Sequence, residues 1–166
     1  AAGDVQADVR LEWQPGSLAF SRLTVALPAH KVGLRLEKAA RLRYTAQSLA
    51  CEPLHIRLTP SGQLQLSGRL APEALEARLR LLATALAPWQ AVIPALPQGQ
   101  VALEAALSGS PARPQGKFSL KVDGLHLPGA PLPPLDWAVT GGVRQGERGG
   151  ELDLRLDVPE NSRRLL

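Results

Sequence analysis

Apolar residues recur on alternate positions along nearly the whole chain. That period confines it to strands with one apolar face and one polar face. Val5, Ala7, Val9, Leu11 and Trp13 alternate with Gln6, Asp8, Arg10 and Glu12. Leu23, Val25 and Leu27 follow, then Val32, Leu34 and Leu36, then Ala40, Leu42 and Tyr44. Later runs are Leu54, Ile56 and Leu58; Leu64, Leu66 and Leu70; and Val101, Leu103, Ala105 and Leu107. Phe118, Leu120 and Val122 come next, then Leu135, Trp137, Val139 and Val143, and finally Leu152, Leu154, Leu156 and Val158. Leu75, Ala77, Leu79 and Leu81 alternate as well. EALEARLRLL also fits a helix, but the strand is the favoured reading.

Turn chemistry separates these runs. Pro15 and Gly16 of QPGS suit a type II turn, and Pro60 and Gly62 of TPSG suit a tight hairpin. With 15 Gly and 15 Pro in 166 residues, many short elements are expected rather than a few long helices. A loose repeat of glycine, polar residue, apolar residue, any residue and leucine begins at Gly62, Gly99, Gly116 and Gly150. Its spacing is too irregular for a solenoid. One segment departs from the period of two. In ATALAPWQAVIPALP, Ala85, Leu86, Trp89, Val92, Ile93 and Leu96 fall at helical spacing. Thr84 stands at the start, and Pro94 supplies a stop. The spacing predicts a short amphipathic helix over 85–93.

The net charge of +4 is spread along the chain, with acids and bases interleaved. The densest basic stretch, Lys31–Tyr44, sets Arg35, Arg41 and Arg43 between apolar residues, as outward strand positions would be. With two Phe, one Tyr and three Trp, the chain lacks the stacking aromatics and basic excess of a nucleic-acid reader. Weak attraction to anionic lipid headgroups is compatible with this charge. Cys51 is the single cysteine, so no intrachain disulfide forms, and this suits either redox compartment. The charge-free run from Arg80 to Glu104 is broken by Pro88, Pro94, Pro97 and Gly99, which argues against a membrane-spanning helix. The opening AAGDVQADV has neither Met nor a basic or apolar leader region, and reads as a mature or excised piece.

No catalytic constellation emerges. His30, His55 and His126 are far apart in sequence, and none has metal-ligand spacing. His55 and His126 alternate with aliphatics and are expected on solvent-facing strand positions. There is no G-x-S-x-G elbow. Ser108 and Ser110 flank Gly109 where a turn wants serine. The glycines at 141, 142 and 146 lack the lysine and following helix of a phosphate loop. Asp153 and Asp157 share a strand face but lie about 13 Å apart at ~3.3 Å per residue. The expectation is a non-enzymatic protein with no metal and no cofactor.

A sheet with one apolar face must cover it, by a second sheet, by closure into a barrel, or by curling about itself. Leu, Val and Ala dominate the apolar set, so an incompletely filled trough joins the packed sandwich as a possible outcome. The run GQVALEAALSGSPARPQGKFSLKVDGLHLPGAPLPPLDWAVTGGV resembles the repeated segments of the TamB/AsmA-like family. There, a strand ending in L-x-G-[ST] leads through a proline-containing turn and a glycine into the next strand. LSGSPARPQGKFSL at 107–120 carries that pattern. LRLLATALAPWQAVIPALPQGQVAL and LTPSGQLQLSGRL follow the same grammar. The resemblance spans about residues 54–158, and the first fifty residues share only the alternation.

The resemblance implies an all-β fold: an elongated, curled antiparallel sheet with a U-shaped apolar interior, the β-taco, here with one short amphipathic helix. It treats 1–166 as a single groove module of a longer envelope protein. It implies a periplasmic location, in a Gram-negative protein anchored in the inner membrane. The implied role is to shield and conduct phospholipid acyl chains, or hydrophobic segments of outer-membrane proteins, between the two membranes. The implied partners are phospholipid and an outer-membrane barrel of the Omp85 type (TamA-like). The lining set on this reading is Leu64, Leu66, Val101, Leu103, Leu107, Phe118, Leu120, Val122, Trp137, Val139, Leu152, Leu154 and Leu156. For each of these residues the ordinary alternative is core packing against another layer. The alternative functions are a structural β-module that docks through its edge strands, and a closed barrel that binds one small molecule.

Overall fold

The alternating runs become the strands of one antiparallel sheet. The computed structural model describes residues 4–126, 134–146 and 149–158. Its strands are β1 (Gln6–Gln14), β2 (Ser17–Leu27), β3 (Val32–Leu36), β4 (Ala40–Tyr44), β5 (Leu49–Thr59), β6 (Gln63–Ala71), β7 (Ala74–Ala85), β8 (Gln98–Ser110), β9 (Arg113–His126), β10 (Leu135–Gly146) and β11 (Gly149–Asp157). The spatial order is β1-β2-β3-β5-β6-β7-β8-β9-β10-β11, with β4 between β2 and β5 beyond the end of β3. The sheet therefore has ten lanes, each antiparallel to the next. At about 4.8 Å between strands, it runs roughly 43 Å from edge to edge. β1 pairs with β2 alone and β11 with β10 alone, so the described strands do not close into a barrel.

β3 and β4 form one interrupted lane. The alternation through Val32, Leu34, Leu36, Ala40, Leu42 and Tyr44 keeps a single phase, and it would aim Lys38 at the apolar face. Burying an unpaired ammonium is costly. The chain leaves the ladder at Glu37–Ala39, and Lys38 stays exposed. The Glu37 N–H still donates to the His55 carbonyl at 2.8 Å, which holds the two halves in line.

The turns follow the sequence chemistry. Gly16 takes φ 80° and Gly62 takes φ 116°, in the region glycine favours. A side chain at Gly62 would overlap the Thr84 hydroxyl. Beside it, Ser61 Oγ accepts the Ala85 N–H at 3.1 Å, fastening the β5–β6 turn to the end of β7. The helix expected over 85–93 is corrected. β7 runs to Ala85, and only a 3₁₀ turn, Ala87–Ala91, follows. Leu86 donates its N–H to Gly99 and thus still belongs to the ladder. The remaining stretch lies between Pro88 and Pro94, too short for α-helical nucleation. A second 3₁₀ turn, Pro28–His30, joins β2 to β3.

Coverage is uneven. Val32, Leu36, Ala40 and Ile56 in β3–β5, and Val122 in β9, are at most 8% exposed, and no side chain among the described residues is fully buried. Neither a second sheet nor an α-helix lies among the described residues to cover the apolar face. The coil of a twisted sheet and its own neighbouring side chains supply what cover there is.

Candidate functional site

The register decides which side chains share a face. Leu36 faces Ile56, which faces Leu64, and the series continues through Leu81, Leu103, Leu120 and Val139 to Leu156. A second row runs from Leu54 through Leu66, Leu79, Ala105, Phe118 and Gly141 to Leu154. A third crosses all ten lanes. It starts at Trp13 and passes Leu18, Leu42, Cys51, Gly68, Ala77, Leu107, Gly116 and Val143 before ending at Leu152. Above them, Val101 faces Val122, which faces Trp137. Every candidate lining residue thus lies on one face of the sheet.

β-Bulges keep this face in phase. Cys51 and Leu54 are three residues apart, yet they face Gly68 and Leu66, two apart, because β5 carries an extra residue between them. β7 does the same between Leu81 and Thr84. Gly141 is needed in the second row, where a Cβ would stand 2.7 Å from the Phe118 ring and from the Asp153 carbonyl. The missing side chain leaves room for the Phe118 ring to lie over β10.

Burial grades along the face. Val122 is buried, while Leu64, Val101, Leu103, Phe118, Leu120, Trp137 and Val139 are half-buried. Leu66, Leu107, Leu152, Leu154 and Leu156 are exposed, the last three at 58–63%. Residues left out of the expected lining share the face: Leu79 and Leu81 of β7, Leu54 and Ile56 of β5, and Val9, Leu11 and Trp13 of β1. Their alternation was equally visible in the sequence. β7 was obscured by its helical alternative, and β1–β5 lay mostly outside the stretch that carries the resemblance.

The opposite face is polar and ion-paired. Arg80 meets Glu104 across the β7–β8 pair at 2.7 Å, Arg22 meets Asp8 at 3.1 Å, and Arg43 meets Glu52 at 3.3 Å. Arg57 meets Glu37 at 2.6 Å, and Gln63 Nε2 donates to the other Glu37 oxygen at 2.5 Å. The Arg57 hydrogen bond, then the Gln63 one, holds the Glu37 carboxyl below the ordinary carboxylate range. On the apolar side, burial pushes the Cys51 thiol up, with the Glu52 charge adding to it.

The hollows are shallow. One of 510 Å³ lies on the polar face over Ala106, Gly116 and Gly142, bordered by Lys117, Arg144, Glu151 and Asp153. On the apolar face a hollow of 210 Å³ lies among Leu49, Leu66, Leu70 and Leu75. The apolar face is therefore an open surface rather than an enclosed chamber. His55 and His126 sit on separate strands, half-buried opposite Gln65 and Gln98. Asp153 and Asp157 are both exposed on β11. Among the described residues no cluster of His, Cys, Asp or Glu is placed to hold a metal ion, and no helix is long and apolar enough to cross a membrane. No family model, curated protein or solved structure matches the chain.

Proposed function

We propose that the apolar face is a running surface for acyl chains. A single observation carries the reading: rows of aliphatic side chains cross the sheet without a charged member, and they end uncovered on the terminal lanes. Moving a lipid tail through water requires its methylenes to stay dry. Each buried CH₂ is worth ~0.8 kcal/mol, so a tail of about sixteen carbons represents on the order of 10 kcal/mol gross. A surface roughly 43 Å across, at ~4.8 Å per lane, exceeds the extended length of such a tail. Without polar anchors along the rows, no position holds the tail in one register, and sliding is favoured over capture.

The resemblance to TamB/AsmA-like segments supplies the setting of this proposal: the periplasm, a longer protein anchored in the inner membrane, phospholipid or hydrophobic outer-membrane-protein segments as cargo, and an Omp85-type barrel as receiver. The edges of β1 and β11, unpaired among the described residues, favour a second reading, a structural β-module docking through those edges without carrying lipid. Native mass spectrometry of the purified chain separates the two. Co-purified phospholipid at one or more per chain is the expected result. A lipid-free chain that also fails to take up phospholipid from added vesicles contradicts the trough and leaves the docking module.

A further inference from the structure

Among the described residues, β1 pairs on one side only and leaves its other edge open. Gln6–Gln14 contains no proline, and the bulge beside it lies in β2: Arg10 faces Arg22 while Leu11 faces Phe20. β1 itself is therefore regular along its unpaired side. Its apolar side chains Val9, Leu11 and Trp13 are 50–70% exposed. On the polar side, Asp8 is engaged by Arg22 at 3.1 Å. Arg10 and Glu12 make no ion pair with another described residue. We propose that two copies of this chain join edge to edge through β1, antiparallel about a two-fold axis at Leu11.

The register follows from charge. With Leu11 on the axis, Arg10 stands opposite the partner's Glu12 and Glu12 opposite the partner's Arg10, so two attractive pairs form. Val9 stands opposite the partner's Trp13, and Asp8 meets the neutral partner's Gln14. Opposed positions differ by even numbers, so both apolar faces lie on the same side and join into one surface. The competing pairings are poorer: an axis at Val9 also sets Arg10 opposite the partner's Asp8, but Arg22 already holds that carboxylate at 3.1 Å. A two-fold axis at Leu154 of β11 pairs Asp153 with Arg155 but also Glu151 with Asp157, so attraction and repulsion cancel. A head-to-tail contact that continues the rows sets Glu12 against Asp153, Arg10 against Arg155 and Asp8 against Asp157, all like charges. Sliding that contact by two residues pairs Glu12 with Arg155 and Arg10 with Asp157. That Arg155 and Asp157 already bind each other at 3.1 Å, and the contact propagates without closing. This dimer does not depend on the trough carrying lipid.

The test is sedimentation velocity from about 10 to 500 µM, a range suited to a small interface. The wild-type chain is expected to pass from monomer to dimer. Arg10→Glu alone and Glu12→Arg alone each set like charges across the axis twice, and each weakens the dimer about tenfold or more. The combined R10E/E12R chain restores both pairs and the wild-type association. In the slid head-to-tail contact the same double change turns both pairs repulsive, so rescue distinguishes the two. Circular dichroism of each variant verifies that the sheet is retained. Should a charge variant lose it, a short bismaleimide on Leu11→Cys in a Cys51→Ala background gives the same answer through a covalent dimer. A wild-type chain that stays monomeric throughout, a double variant no better than the singles, a ladder of higher species, or failure of the Leu11→Cys crosslink overturns the proposal.

Discussion

One cross-strand row begins at Leu36 and Ile56, each 8% exposed, and ends at Leu156, 63% exposed. The residues are alike, they lie on the same face, and each end stands opposite an aliphatic neighbour. Only the lane differs. In β3 and β5 the row runs through strands that are paired on both sides. At β11, among the described residues, there is a neighbouring strand on one side and none on the other. A side chain's type and phase therefore fix its face, whereas its place among the lanes fixes whether it is covered or stays exposed.

That contrast breaks most clearly under charge. Ile56→Asp places an unpaired carboxyl in the covered end and is expected to cost about 4 kcal/mol or more, enough to unfold the sheet. Leu154→Asp, in the bare lane, is expected to change stability by less than about 0.5 kcal/mol. Urea unfolding of the two variants measures both. If they cost the same, the division between covered and open ends is wrong.

The next effect sharpens the boundary between these ends. Gly141→Val introduces branches where a Cβ already meets the Phe118 ring and the Asp153 carbonyl. The expected cost is about 1–3 kcal/mol, intermediate between the two aspartate variants. Thermal unfolding provides the comparison, and Gly142→Val serves as a control. A Cβ at Gly142 finds its nearest neighbour, the Gly116 carbonyl, at 3.4 Å, and the control is expected to cost less.

The smallest effect concerns the polar face beside the covered end. Glu37 is held below the ordinary carboxylate range by its bonds to Arg57 and Gln63. A carboxyl lowered in the folded state contributes stability at pH above its unfolded value, and loses it as pH falls through the folded value. Carbon-detected NMR titration of Glu37 should therefore show a midpoint below the ordinary value of 4.5. Arg57→Gln should raise that midpoint. An unchanged midpoint contradicts the assignment of the ion pair as its main cause.

Much of the sheet was legible in the sequence, because a period of two and glycine–proline turns are local signals. The alternation of EALEARLRLL predicts the strand that β7 forms, and the turns at Gly16 and Gly62 stand where their chemistry sets them. The helix over 85–93 did not form, because its apolar spacing carried no information on where Leu86 spends its N–H. The joining of β3 and β4 into one lane was also missed. It depends on pairing with β2 and β5, which are distant in sequence, although Lys38 at an inward phase was a hint. For the candidate lining, the shared face was legible and its coverage was not. Coverage depends on the number of lanes and on which are outermost, and no local pattern encodes that.

The central claim is that acyl chains ride the apolar face and reach furthest where it is bare. Photo-crosslinking tests it directly, with a diazirine amino acid placed at Leu103, Leu120 or Leu154 and, as opposite-face controls, at Glu104 or Arg155, in the presence of radiolabelled phospholipid vesicles. The account predicts strong lipid adducts at the three leucine positions, strongest at Leu154, and background labelling at the two charged positions. Equal labelling of both faces, or no labelling at Leu154, would contradict it.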